Sequence, residues 1–277
     1  MAPSGAVPPR ALLATDLDGT LLGADGQLSA RTTRALAEAA EGPVEVVVVT
    51  GRPPMFLRSL LAGARVGGEA LCANGAIVVD LATLDVLQAH AMPPATVRTI
   101  LDHAAAASAP TQVRVMLWRS PKESQRLMGA GGSAFTAQVN AALGAGWLPY
   151  KVLVASPDAD TDPAAYLAHM QAELGAAATV THSMPGHAVV EIGPDGVDKG
   201  TALRALAAAR GIPRSDVHAV GDMPNDLPML RWAGRSYAVA NAHPQVLAEV
   251  DQHLPANTDD GVAELLESLH LQLTARG

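Results

Sequence analysis

The chain is short of cysteine, aromatic residues, positive charge and long apolar runs, and each shortage narrows what it can be. Its single cysteine, Cys72, rules out an internal disulfide framework, so a reducing, cytoplasmic setting is expected. With 19 Lys and Arg against 27 Asp and Glu, the formal net charge is -8. No dense basic cluster offers a footprint for a nucleic-acid backbone, so nucleic acid is excluded as a partner. The longest apolar stretches, such as 44–49, are far too short to cross a bilayer, and no membrane association is expected. Residues 1–10 hold three prolines and no apolar core of signal-peptide length, and read as a disordered tail.

What remains is rich in Ala, Val and Leu, with 25 Gly and 20 Pro in 277 residues. That composition suits short helices and strands joined by tight turns. The length allows one large α/β domain or a core carrying a second module. Compact apolar runs at 11–15 and 44–49 predict parallel strands buried on both faces. Between them, 29–40 has helical spacing with Ser29 as its N-cap, which makes a βαβ unit. A third run at 70–73 enters the Asn74-Gly75 turn, and 77–79 returns as a short strand. Strands are expected again at 217–220, 237–240 and 252–254, with helices at 227–233, 244–249 and 262–271.

The middle breaks this rhythm. Helix 95–107, strand 112–118, an irregular glycine-bearing stretch and helix 134–142 are followed by strand 151–155, helix 164–174 and an antiparallel pair at 179–182 and 188–192. The fold expected is therefore α/β, a Rossmann-like parallel-sheet core with an inserted α/β cap domain. Its boundaries are 11–82 and 194–277 for the core and 83–193 for the cap, with Gly193-Pro194-Asp195-Gly196 as exit hinge.

Chemistry gathers where strands end. Asp16-Leu17-Asp18-Gly19-Thr20 follows the first buried strand, at the sheet edge where open parallel sheets bind ligands. Alternation along an extended backbone turns residues i and i+2 to one side, so both acids are expected in one crevice. Such a pair calls for a shared cation or a raised pKa, and hard oxygen ligands favour Mg²⁺. Alone, Asp-x-Asp-Gly is also an ordinary turn with solvated acids. An EF-hand loop is excluded, because its sixth position would be Leu21 and its twelfth Gln27.

Thr50-Gly51-Arg52 ends the second strand ahead of a helix expected near Pro53, as a phosphate cradle would, although Thr-Gly-Arg is equally a plain strand-to-helix turn. Lys199 opens the helical run 201–210, where the helix dipole disfavours a cation unless an anion lies nearby; an exposed lysine is the plain alternative. Gly221-Asp222-Met223-Pro224-Asn225-Asp226 follows a further strand, and by itself could be a helix N-cap with a solvated first turn. Asp222 can complete a metal site with Asp16, Asn225 can donate to a phosphoryl oxygen, and Asp226 can hold metal-bound water or Lys199.

Taken together, these segments resemble the haloacid dehalogenase superfamily, specifically Cof-type phosphatases with an α/β cap between the second and third motifs. Asp16 to Thr20 is similar to the first motif, Thr50-Gly51-Arg52 to the second, Lys199 to the third, and Gly221-Asp222 through Asn225-Asp226 to the fourth. Asn74-Gly75-Ala76, Tyr150-Lys151 and Asp198-Lys199-Gly200 also resemble recurrent Cof-type segments. The resemblance implies Asp16 as nucleophile and Asp18 as general acid, then base, in hydrolysis of small-molecule phosphate monoesters through an aspartyl-phosphate. It implies Mg²⁺ held by the Asp16 carboxylate, the Asp18 main-chain carbonyl and Asp222, with Asp226 behind, and a phosphoryl group held by Thr50, Gly51 N–H, Lys199 and Asn225. Arg52, Asn74 and His187 are candidate substrate contacts.

Sugar phosphates are the first substrate class expected, and pyridoxal phosphate or a flavin precursor the next by family analogy. A phosphomutase of the same superfamily and a non-catalytic phosphometabolite-binding or phosphoacceptor module are the alternatives. A receiver domain fits poorly, because its phosphoacceptor would follow the third strand, which here ends in Ala73-Asn74. A P-loop is excluded by Asp198 before Lys199. His182 and His187 in the cap turn are read mainly as exposed loop residues, and Trp118, Arg119 and Trp147 mainly as packing. Oligomeric state is not legible in the sequence.

Overall fold

Residues 11–107, 111–120, 123–158, 160–182, 184 and 186–275 are described by a computed structural model of the chain; the tail expected over 1–10 lies outside them. In chain order the strands are β1 (Ala11–Thr15), β2 (Val44–Val49), β3 (Glu69–Cys72), β4 (Ile77–Asp80), β5 (Val86–Ala89), β6 (Gln112–Ser120), β7 (Glu123–Ala130), β8 (Leu148–Ala155), β9 (Thr179–Thr181), β10 (Val189–Gly193), β11 (Val217–Gly221), β12 (Arg235–Val239) and β13 (Gln252–Leu254). The helices are α1 (Ala30–Ala40), α2 (Leu57–Leu60), α3 (Pro94–Ala106), α4 (Ser133–Gly144), α5 (Pro163–Leu174), α6 (Lys199–Ala209), α7 (Leu227–Trp232), α8 (Pro244–Leu247) and α9 (Gly261–Thr274).

Two compact units result. Among the described residues, one holds those up to Gly75, Val79–Leu84 and those from Asp198 onward; the other holds those of Ala76–Val78 and Asp85–Val197. The boundaries expected from sequence are 82/83 and 193/194; the main changeovers lie at 84/85 and 197/198, and Ala76–Val78, expected in the core, fall in the second unit.

In the first unit, all five residues of β1 are buried, as befits a strand covered on both faces. It runs parallel to β2 on one side and β11 on the other, with Thr15 level with Val48 and with Val220. Within this unit the sheet order is β13-β12-β11-β1-β2-β3. From β1 the chain therefore steps outward through β2 and β3, and later through β11, β12 and β13 on the other side. The reversal lies between β1 and β11, the place where such sheets open a crevice beyond their carboxyl ends. Because the three central strands end level, whatever follows Thr15, Val49 and Gly221 is delivered to one rim. Helix α1 is capped as expected, the Ser29 hydroxyl accepting the Thr32 N–H at 2.9 Å. The helix expected after Arg52 is cut down to a 3₁₀ turn, Pro54–Phe56, and the four residues of α2.

The inserted unit is a five-stranded sheet, β7-β6-β8-β10-β9, antiparallel at every pairing. Alternate residues, including Val113, Val115, Val152, Val154, Val190 and Ile192, form one core with α3, α4 and α5.

The glycine-bearing stretch expected to be irregular is in fact β7, paired with β6 from Glu123 to Ala130. As an edge strand it carries Glu, Ser, Gln and Arg, whose polarity hides the alternation, while its burial does alternate strictly. Gly129 is required there, since a Cβ would lie 2.6 Å from the Phe135 ring. Among the described residues no helix is long and apolar enough to cross a membrane.

Candidate active site

After β1 the chain makes one wide turn, closed by the Leu22 N–H on the Leu17 carbonyl at 2.9 Å. Gly19 is the residue that permits it. Its φ is +75°, and a Cβ there would stand 2.3 Å from Asp222 Oδ2, so the loop after β1 lies directly against the acid that follows β11. Thr20 Oγ1 donates to Asp222 Oδ1 at 3.0 Å. Asn241 props the same loop, donating to the Gly19 carbonyl at 2.8 Å and accepting the Asn257 N–H at 2.9 Å.

Asp16, at the carboxyl end of β1, is buried, and its Oδ1 lies 2.5 Å from Lys199 Nζ. Lys199 is the first residue of α6, behind the N-cap Asp198 in a capping box with Thr201, where the helix dipole works against a cation. Two carboxylates compensate, because Nζ also donates to Asp226 Oδ1 at 2.5 Å. The other Asp226 oxygen accepts the Asp222 and Met223 N–H groups, each at 3.0 Å. Asp226 thereby pins both Lys199 and the loop after β11.

One oxygen each of Asp16, Asp222 and Asp226 lies within 4.8 Å of the others, all three residues being buried. Burial pushes the Asp16 carboxyl well above the usual carboxylate range; Lys199 opposes this, and Asp226 and Asp222 add to it. Burial, then Asp226, pushes Asp222 up to about 7. Burial alone would lower the Lys199 ammonium, but Asp16 and Asp226 outweigh it and hold it raised.

The remaining residues singled out from sequence occupy stated places. Thr50 is fully buried and its hydroxyl accepts the Arg52 N–H at 3.1 Å, which leaves its own proton to offer an anion. Gly51 is half-buried in the same turn. The loop after β3 is tied to this turn: Ala73 donates to the Arg52 carbonyl and Asn74 to the Thr50 carbonyl, both at 3.0 Å. Asn74, held at φ +56°, accepts Asn225 Nδ2 at 3.2 Å through its Oδ1. Asn225 Oδ1 is buried without a hydrogen-bond partner.

Asp18 departs from the expectation drawn from strand alternation. Asp16 and Asp18 each have extended backbone angles, yet the wide turn opens at Leu17 between them, and the Asp18 carboxylate is not among the three clustered acids but on Arg52. His187 belongs to the inserted unit, where its carbonyl meets His182 Nε2 at 2.9 Å.

These residues fit a hard divalent cation. Three buried carboxylates against one ammonium leave two negative charges unbalanced, and an all-oxygen donor set suits Mg²⁺. A cation at roughly a hundred times its dissociation constant should stabilise the protein by about 2.7 kcal/mol, roughly 5–10 °C in melting temperature. The pH dependence follows from Asp222. Its folded pKa, about 7, exceeds the unfolded value of 3.8, so across that window the folded chain keeps a proton the unfolded chain has lost. Stability without metal should therefore fall as pH rises through it, and the Mg²⁺-induced shift should grow. Melting curves at pH 5.5 and 8, with and without Mg²⁺, measure both; a shift that shrinks with rising pH contradicts ligation by Asp222.

Sequence reasoning passed over Thr20 as the partner of Asp222 and the Asn241–Asn257 prop. A hydroxyl directly after the loop glycine was a signal for the first; the second, reaching back more than two hundred residues, had none.

Residues 13–266 match the model of the haloacid dehalogenase-like hydrolase family. The pyridoxal phosphate phosphatase YbhA of Escherichia coli is 28% identical over 277 residues, spanning 93% of this chain and 97% of that one. The HMP-PP phosphatase of Cronobacter sakazakii is 31% identical over 246 residues, spanning 87% and 88%. A solved haloacid dehalogenase-like hydrolase from B. subtilis shares the fold with a TM-score of 0.76 at 22% identity, over 93% of this chain and 99% of that one.

Proposed function

Because this chain belongs to the haloacid dehalogenase-like hydrolases and is a phosphatase, we propose that it is a cytoplasmic, Mg²⁺-dependent enzyme that hydrolyses small-molecule phosphate monoesters through a covalent phosphate on Asp16. The observation that carries this reading is Asp16 itself, buried at the end of the central strand against Lys199, with two further acids beside it. In the first half-reaction an Asp16 carboxylate oxygen attacks phosphorus while the ester P–O bond breaks, and Asp18 gives its proton to the departing oxygen. In the second, Asp18 takes a proton from the water that attacks phosphorus, and inorganic phosphate leaves Asp16 free.

Lys199 holds Asp16 in place and, with the Thr50 hydroxyl, the Gly51 N–H and Asn225, binds the phosphoryl oxygens. Mg²⁺, held by the Asp16 carboxylate, the Asp18 main-chain carbonyl and Asp222, with Asp226 behind them, would supply charge neutralisation for the phosphoryl group.

Sugar phosphates are the proposed substrate class, tested beside pyridoxal phosphate and HMP-PP because relatives carry those names. A turnover screen over these esters, with Mg²⁺ or with chelator, is the direct test. Phosphate release that needs Mg²⁺ is expected with at least one of them. Release that persists undiminished in chelator would remove the metal from the mechanism, and turnover stimulated by a sugar bisphosphate would turn the reading toward a mutase.

A further inference from the structure

The Asp18 carboxylate is gripped from one side. Arg52 Nε donates to its Oδ2 at 2.7 Å and Nη2 to its Oδ1 at 2.5 Å. Side chains as exposed as these, 37% for Arg52 and 49% for Asp18, gain little stability from pairing, so folding alone gives no reason for the contact. Arg52 is nevertheless fastened firmly. Its N–H is on Thr50 Oγ1 at 3.1 Å, its carbonyl takes the Ala73 N–H at 3.0 Å, and its guanidinium lies 5.9 Å from the centre of the Phe56 ring. Pro53, next in sequence, further restricts its backbone.

A planar fork anchored in this way dictates both the rotamer and the plane of the carboxylate it meets. It takes up one acceptor position on each oxygen, about half of what a carboxylate has. The remaining positions are open to a leaving-group oxygen or a water.

We propose that Arg52 is the positioning residue of Asp18, fixing the direction in which that carboxyl group gives and takes its proton, rather than a contact for the substrate. The inference rests on Asp18 being the acid and base of the reaction proposed above.

The test compares single-turnover leaving-group release from an aliphatic sugar phosphate that the wild type hydrolyses with release from p-nitrophenyl phosphate. p-Nitrophenolate departs without a proton, so only the aliphatic release needs a well-aimed acid. Arg52→Gln should slow aliphatic release roughly 10- to 100-fold more than p-nitrophenolate release, a fraction of what a general acid contributes. Arg52→Lys, a point charge without a fork, should recover only part of the loss. In an Asp18→Asn background, Arg52→Gln should cost nothing further, because the two act as one unit.

Equal slowing of the two esters, faster aliphatic release, or a full second loss in the Asp18→Asn background would each overturn the inference while leaving Asp18 its role. Asp18→Asn that releases the sugar as fast as wild type would remove that role, and the inference with it.

Discussion

Asp16→Asn should lower kcat by at least about 10⁴-fold, the scale expected when the nucleophile of a covalent mechanism is lost, with no loss of stability. An amide in place of the carboxylate cannot form the acyl phosphate, yet it keeps the shape of the site. Lys199 stays paired, since its second partner Asp226 remains at 2.5 Å. Burial and two neighbouring acids disfavour the charge on Asp16, so its removal relieves the folded state. Phosphate release, chemical trapping of the acyl phosphate and a melting curve together check this. A variant that keeps a hundredth of wild-type turnover would take the nucleophile away from Asp16, and a collapsed melting curve would show that the carboxylate is structural.

Lys199→Met should do the opposite to stability. The ammonium is fully buried between Asp16 and Asp226, and its loss leaves both carboxylates dry and without their shared cation. Breaking a buried pair from one side costs about 3–5 kcal/mol, which for a chain of this size is roughly 6–20 °C in melting temperature.

The pH dependence has a definite sign. Without Lys199 the folded-state pKa of Asp16 lies further above the unfolded value near 3.8, so the deficit opens as pH rises past that value and closes as that acid protonates. The gap from wild type should be widest at pH 8 and narrow by pH 5. Adding Asp226→Asn should restore part of the stability and none of the activity. Equal melting temperatures for Lys199→Met and wild type at pH 8 would mean that the ammonium balances no charge in the folded protein.

The rim of the sheet was legible in the sequence because it depends on where buried strands stop, and β1, β2 and β11 announce themselves as short apolar runs. Level strand ends then bring Asp16 and Asp222 to one rim, which Lys199 reaches from the first turn of α6 and Asp226 from the turn after β11. Contacts that do depend on rotamers were beyond reach. The pull of Arg52 on Asp18, of Asn74 on Asn225 and of Thr20 on Asp222 spans 34, 151 and 202 residues, and nothing local encodes such directions. Asp18 shows the limit most clearly: alternation assumes an unbroken extended run, and the wide turn that opens at Leu17 interrupts it between two acids that are each extended. β7 was missed for a different reason, its exposed edge having no use for an apolar face.

Gly75 and the start of α6 touch closely enough that a Cβ on Gly75 would lie 2.8 Å from the Asp198 carbonyl oxygen and 2.6 Å from Ala202 Cβ. The residue before the chain's first, three-residue crossing into the second unit therefore packs against the residues at which the chain comes back for good. That close backbone contact ties the return point to the first unit, so the stretch Asp85–Val197 can change in length or content without loosening it. Divergence among such enzymes has a natural seam there, with the nucleophile on one side and freedom to change on the other.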